Sequence, residues 1–352
     1  MARKKKDKKK KGETPSFNVD DIMADVSNIL SKKFGSKIKK EVSVPIKDFI
    51  STGNPLVDWS LGKGLPLGKI IEIWGEEGTG KSTLAYQILG KVYKKGGIIV
   101  LFDTENSFDP IRGKQFGVGN IILENPETVE EAFDMLHHTI ENLKDRGFGV
   151  VVWDSLAATP TEADIKGNAG IGSKARVVSD RLQKILKGLE QSNLSLIIIN
   201  QARSKIDTGF SARFGGQRIT APSARALRHD AIIRAHMKVV GKIKVDNYIV
   251  GHVVEFTPEK NKIAPPFRSV RLHLLFKSGF SLRNTIIENA IQLGVIKRHG
   301  AYYDYNDIRY QGKTAIIKEI SKEDLKSLVK EVIKALEEVY ENVWEKITTE
   351  NV

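Results

Sequence analysis

Apolar positions along the chain follow two periods. They alternate in Lys69-Ile70-Ile71-Glu72-Ile73-Trp74 and run almost unbroken through Gly97 to Phe102, Gly149 to Trp153 and Leu194 to Ile199. Short runs of this kind, bounded by turn residues, predict buried core strands. Val245 to Phe256 reads as a further strand-rich stretch, and Gly300 to Tyr305 as an aromatic turn or strand. The second period is helical. It marks Val19, Ile22, Met23, Val26, Ile29, Leu30 and Phe34; the run Thr83 to Leu89; Thr285 to Leu293; and Leu325, Leu328, Val329, Val332, Ile333, Leu336, Val339, Tyr340 and Trp344. Asp20 or Asp21 in the first of these, and Asp324 behind Ser321 in the last, put a carboxylate where the helix dipole favours one. The order predicts an α/β fold. A lone amphipathic helix precedes it and needs a surface to cover, on its own domain or on a neighbouring subunit.

The most informative junction joins the first strand to its helix. Gly75-Glu76-Glu77-Gly78-Thr79-Gly80-Lys81-Ser82, followed by Thr83, fits the spacing Gly, four residues, Gly-Lys-Ser/Thr between a strand and a helix. Glycines at 75, 78 and 80 let backbone N–H groups close around a phosphate chain, and the helix adds its positive end. In that setting Lys81 reaches the β- and γ-phosphates, and the Ser82 hydroxyl ligates Mg²⁺.

Later strand ends carry polar groups on the face where α/β sheets bind ligands. Asp103-Thr104-Glu105-Asn106 places Glu105 to polarise a water attacking a γ-phosphate. Asp154, after four apolar residues, is expected to hold a water on Mg²⁺ opposite Ser82. The amides of Asn200 and Gln201 are candidates to read whether a γ-phosphate is present. Lys260 and Lys262 alternate in an extended segment and point the same way, a possible double cationic contact for phosphate.

Composition narrows the partners. The 352 residues carry a formal charge of +13, with 40% hydrophobic and 28% charged residues. No apolar run approaches the ~20 residues of a membrane span, so a cytoplasmic protein without a membrane partner is expected. Zero cysteines exclude disulfides and thiolate chemistry. The block MARKKKDKKKKG is expected to be disordered and to add nonspecific attraction to DNA phosphates. Two glycine-rich loops stand out. Thr161 to Gly172 precedes a helix bearing Arg176, Ser179 and Arg181; Ala202 to Ala224 holds Arg203, Lys205, Arg213 and Arg218, with Asp207 its one acid, and Arg225 follows. Basic flexible loops beside a nucleotide sensor suggest a nucleic-acid channel.

Over about residues 18 to 312 this order resembles the bacterial RecA recombinase family. The likeness rests on Ser51-Thr52-Gly53 with Asp58, Gly64 to Ile73, Asp103-Thr104-Glu105 through Phe108-Asp109-Pro110-Ile111, and Val152 to Ala158. Ile199-Asn200-Gln201, Lys260 to Phe267, Lys33 to Ile38 and Gly300 to Tyr305 complete it. The resemblance implies a RecA-type phosphate-loop ATPase core with a mainly parallel sheet at 46–281. A disordered tail (1–17), an N-terminal oligomerisation helix with its linker (18–45) and a small α/β C-terminal domain (282–352) would flank it. It also implies ATP and Mg²⁺ as cofactors, and a homo-oligomeric helical filament on single-stranded DNA that pairs with homologous double-stranded DNA and exchanges strands. The two basic loops would line the DNA channel, Gln201 would report the γ-phosphate to the second loop, and Lys260 and Lys262 would reach ATP on the next subunit. Asp109 and Arg112 would lie by the nucleotide base.

The likeness has departures. Arg112 stands where the family has a tyrosine, Thr220 to Arg225 replaces paired glycines, and Arg228-His229 replaces a lysine and an aromatic. A mixed-charge helix stands in place of an acidic tail. Such divergence suits a phage or plasmid recombinase, or an unusual host lineage. A ring-shaped motor and a non-catalytic recombination mediator are the competing readings; Glu105, Asp154, Gln201 and both lysines, all present, argue against a degenerate site.

Overall fold

The computed structural model describes residues 48–143, 146–170, 172–204, 219–220 and 225–350. The basic tail and the amphipathic helix expected before residue 46 lie outside them. Short pairing strands β1 (Phe49–Ile50) and β2 (Leu65–Pro66) flank helix α1 (Pro55–Leu61), which Asn54 caps by accepting from the Leu56 N–H. The core then alternates strand and helix: β3 (Ile70–Gly75), α2 (Lys81–Lys94), β4 (Ile98–Asp103), α3 (Pro110–Gln115), β5 (Ile122–Glu124), α4 (Val129–Leu143) and β6 (Gly149–Asp154). Helices α5 (Glu162–Ile165) and α6 (Ser173–Gln191) lead to β7 (Leu194–Gln201).

A two-strand pairing, β8 (Arg203–Ser204) with β9 (Ile219–Thr220), forms the root of the second basic loop, and α7 (Arg225–Asp230) follows it. Strands β10 (Ile233–Val245), β11 (Tyr248–Asn261), β12 (Val270–Leu275) and β13 (Gly279–Phe280) complete the main sheet. Beyond it come α8 (Leu282–Gln292), the antiparallel strands β14 (Lys297–His299), β15 (Tyr302–Tyr305) and β16 (Ile308–Gln311), then α9 (Lys313–Glu319) and α10 (Lys322–Glu350).

Among the described residues the main sheet has nine strands in the order β13-β12-β11-β10-β3-β7-β6-β4-β5. From β10 through β5 every neighbour is parallel; β11 to β13 add an antiparallel edge. Alternation along each strand feeds two core layers. Ile71, Ile73, Leu101, Val152 and Ile199 pack with Leu84 and Ile88 of α2, whereas Ile70, Val100, Phe102, Trp153 and Ile198 pack with Phe133 of α4 and Leu182 of α6. Coverage on both faces is why the strands read as continuous apolar runs.

The strand-rich stretch at Val245–Phe256 is wider than its sequence indicated. It belongs to a long hairpin that turns at Asp246 and Asn247, both at positive φ, a geometry asparagine and aspartate tolerate. Most of its outer half is solvated, which erases the hydrophobic signal.

Candidate active site

The parallel order sets β3, β7, β6 and β4 side by side, so Gly75, Gln201, Asp154 and Asp103 end adjacent strands on one edge of the sheet. Gly75 must be glycine because a Cβ there would lie 2.2 Å from the Met237 carbonyl oxygen. Gly80 caps α2 in the left-handed region at φ 85°, where a Cβ would also meet Leu274 and Phe280. These two constraints let the backbone turn sharply around the start of α2. Lys81 is buried beneath the turn and donates to the carbonyls of Gly75 (3.0 Å) and Glu76 (2.8 Å); Thr79 Oγ1 also donates to Glu76 O at 2.9 Å. Burial pulls the Lys81 ammonium below its ordinary pKa, against the attraction of Asp154, Glu105 and Glu77.

Asp154 closes the site from β6. Burial pushes its carboxyl up to about 6; the Ser82 hydroxyl, which donates to it, opposes the rise, while Glu105 and Asp103 add to it. Its Oδ2 is buried and has no hydrogen-bond partner. An orphaned carboxylate oxygen beside a serine hydroxyl fits a divalent cation. Among the described residues no cluster of three or more His, Cys, Asp or Glu is present that would hold an ion by itself. That donor set suits Mg²⁺, which takes one or two protein ligands and completes its shell with phosphate and water.

Glu105 is exposed at the mouth of the site, yet both of its neighbours hold it. Its Oε1 accepts from Ser155 Oγ at 2.6 Å and from Gln201 Nε2 at 3.0 Å. The loop beneath is fixed by Asp103, which accepts from the N–H groups of Ser107 and Phe108, and by Thr104, whose N–H donates to Asp154 O at 2.9 Å.

The RecA N-terminal domain model matches residues 20–281. Curated relatives extend the match. A Protein RecA from Ureaplasma parvum serovar 3 is 37% identical over 78% of this chain and 82% of its own length. Those from the Wolbachia of Brugia malayi and from Chlorobaculum tepidum are 33% and 30% identical, over 83% and 84% of this chain and 81% and 86% of their own. The chain belongs to the RecA family. It is a divergent member, a DNA-dependent ATPase that forms filaments and exchanges strands in recombination and repair.

Other expected residues of this RecA-family ATPase lie farther off. Lys262 donates its N–H to Ile232 O, and Ile232 donates to Ile70 O, so Lys262 is level with the start of β3. The phosphate loop is at the other end, about 16 Å away at the rise of an extended strand. Lys260 is opposite Arg234 in the β10–β11 ladder, and its Nζ donates to the carbonyls of Arg228 (2.7 Å) and His229 (2.6 Å) in α7. Both lysines therefore lie toward the opposite end of the sheet from their own phosphate loop. Asp109 caps α3 by accepting from the Ile111 N–H at 2.8 Å, and the Arg112 guanidinium is 5.8 Å from the Phe116 ring centroid.

On the DNA side, Arg176 and Arg225 are exposed, Ser179 is half-buried, and Arg203 stands at the loop root in β8. Arg181 is engaged by Asp134. Lys205, Arg213 and Arg218 lie outside the described residues.

The amides read together in the sequence separate in the fold. Asn200 is buried and donates through Nδ2 to Glu72 Oε1 at 2.7 Å, and the other oxygen of Glu72 pairs with Arg234. Successive strand residues face opposite ways, so only Gln201 reaches the site. The Glu72–Arg234–Asn200 cluster and Ser155 went unread. Glu72 offers a trace, a lone acid inside a buried strand, but its partners come from strands more than a hundred residues away.

Proposed function

We propose that each nucleotide site is shared between consecutive filament subunits. The position of Lys262, level with the start of β3 and far from its own phosphate loop, carries this reading, and Gln201 links the site to DNA. Its side chain touches Glu105, and two residues later the chain enters the basic loop at Arg203. In the reading, residues 75–83 wrap the β- and γ-phosphates of ATP, with Lys81 leaving the Gly75 and Glu76 carbonyls for phosphate oxygens. Asp109 and Arg112 border the base. Ser82 and Asp154 would hold Mg²⁺, which would supply neutralising charge for the phosphates.

Glu105 accepts the proton of the water whose oxygen bonds to the γ-phosphorus as the bond to the β,γ-bridging oxygen breaks and ADP leaves, and Gln201 and Ser155 hold the carboxylate in line for it. Charge developing on the transferred group is met by Lys81 and, from the next subunit, by Lys260 and Lys262. The long path from that lysine pair to its own phosphate loop supports a contribution in trans. Because lysines complete the site only after assembly, hydrolysis depends on the filament.

Arg176, Ser179, Arg203, Lys205, Arg213, Arg218 and Arg225 contact single-stranded DNA through its backbone, and base pairing with homologous duplex supplies sequence recognition. Among the described residues no helix is long and apolar enough to cross a membrane, and we place the activity in the cytoplasm.

The test is ATP turnover with and without single-stranded DNA, with imaging of the ATP-bound complex. DNA-stimulated turnover and helical filaments are expected, with stimulation lost in Lys262→Ala. Turnover indifferent to DNA, or closed rings, would overturn the reading.

A further inference from the structure

The segment after the lysine pair is braced at both ends. Asn261 Nδ2 donates to Leu61 O at 3.0 Å, while its Oδ1 accepts from the N–H groups of Ile263 (2.9 Å) and Ala264 (3.2 Å). At the far end α10 closes over the chain. Tyr340 Oη donates to Pro266 O at 2.7 Å, and the Arg268 guanidinium lies 5.2 Å from the ring centroids of both Trp59 and Tyr340. Those rings meet edge to face at 6.4 Å. Arg268 Nε is buried with no acceptor, so ring faces hold that edge of the guanidinium where a carboxylate is usual.

Between Pro266 and Arg268 stands Phe267, 61% exposed at φ 64°. A bulky residue in the left-handed region is strained and persists only where its surroundings fix it. Here the Phe267 N–H donates to Pro258 O at 2.8 Å, Tyr340 grips the preceding carbonyl, and the Trp59 and Tyr340 rings hold the following side chain. The fold spends these contacts on holding an aromatic ring out to solvent, five residues beyond Lys262.

We propose that α10 is a brace for the lysine-bearing segment, with Tyr340 as its positioning residue and Phe267 as the anchor it presents to a second copy of this chain. The partner is argued from continuity: the ring flanks the lysines assigned to the next subunit's nucleotide, and the proposal rests on that assignment. Aromatic side chains, phenylalanine among them, are enriched at the buried centre of interfaces, and Phe267 is held out to solvent in the free chain. The helix then links the C-terminal region to the neighbour's ATP site without touching either nucleotide or DNA.

Phe267→Ala should raise the protein concentration for half-maximal filament formation about tenfold, leaving nucleotide affinity without DNA and thermal midpoint unchanged. Tyr340→Ala should raise that concentration to a similar degree, with a lower thermal midpoint because its contacts with Trp59, Arg268 and Pro266 are lost, and Tyr340→Phe, which keeps the ring, should fall between it and the parent. A mixing experiment separates positioning from general stability. Tyr340→Ala subunits keep their own phosphate loop, so adding Lys81→Ala subunits, whose lysine face is intact, should give DNA-dependent turnover above the sum of the two alone. Parental assembly by Phe267→Ala, or a mixture that only sums, would overturn the proposal. If Lys262→Ala is rescued by Lys81→Ala while Tyr340→Ala is not, the brace falls and the shared site stands.

Discussion

Gln201 donates its side-chain amide to the carboxylate of Glu105 at 3.0 Å, joining the end of β7 to the loop after β4. The strand order makes the contact possible, because β7 lies between the phosphate-loop strand and the strand that carries Asp154. In the proposed mechanism this one residue would sense phosphate, orient the general base and pull on the basic loop that begins two positions later.

Glu105→Gln should bind ATP as the parent does and lower DNA-dependent turnover by about 10²-fold or more, the usual contribution of a positioned general base. Fluorescent-nucleotide titration and steady-state phosphate release check the two halves. Equal turnover would remove Glu105 from its role.

Stability of the protein free of divalent ions and nucleotide should depend on pH through Asp154. Burial lifts the carboxyl to about 6 from 3.8. The stabilisation from keeping that proton is complete below the unfolded value and is lost as pH rises through 6. The difference is about 3 kcal/mol. Urea denaturation of the parent and Asp154→Asn should therefore diverge by that order between about pH 4 and 7, the parent losing stability as pH rises. Parallel curves would contradict the burial argument.

Removing one member of the buried Glu72–Arg234 pair should be worse than removing both. Arg234→Met strands a fully buried carboxylate and should cost about 3–5 kcal/mol, whereas Glu72→Gln with Arg234→Met should cost much less. Equilibrium unfolding of the single and double variants measures the coupling; additive losses would show that the two side chains do not act as a pair.

Much of this was legible in the sequence because the decisive signals are local. The run from Lys69 to Thr83 specifies strand, loop and helix within a few turns of chain, and Asp103 and Asp154 follow apolar runs that only a buried strand uses. Ser155, Glu72, Arg234, Arg268 and Tyr340 were not legible in their roles. Each acquires its partner by tertiary pairing: Ser155 meets Glu105 across a strand boundary, and Tyr340 meets Pro266 across 74 positions. Periodicity marked Tyr340 as a helix-face residue and could not say what it would cover. Asn200 shows the opposite case, where a neighbour's role was extended by one residue across a pleat that reverses direction.

The shared site is tested most directly by mixing Lys81→Ala with Lys262→Ala on single-stranded DNA. Each alone should be nearly inactive, the first lacking a working phosphate loop and the second lacking the donated lysine. At equal amounts, about a quarter of the head-to-tail interfaces pair an intact loop with an intact lysine, and turnover should recover to about that fraction of the parental rate. A mixture no more active than its separate components would contradict a site completed by the neighbouring subunit.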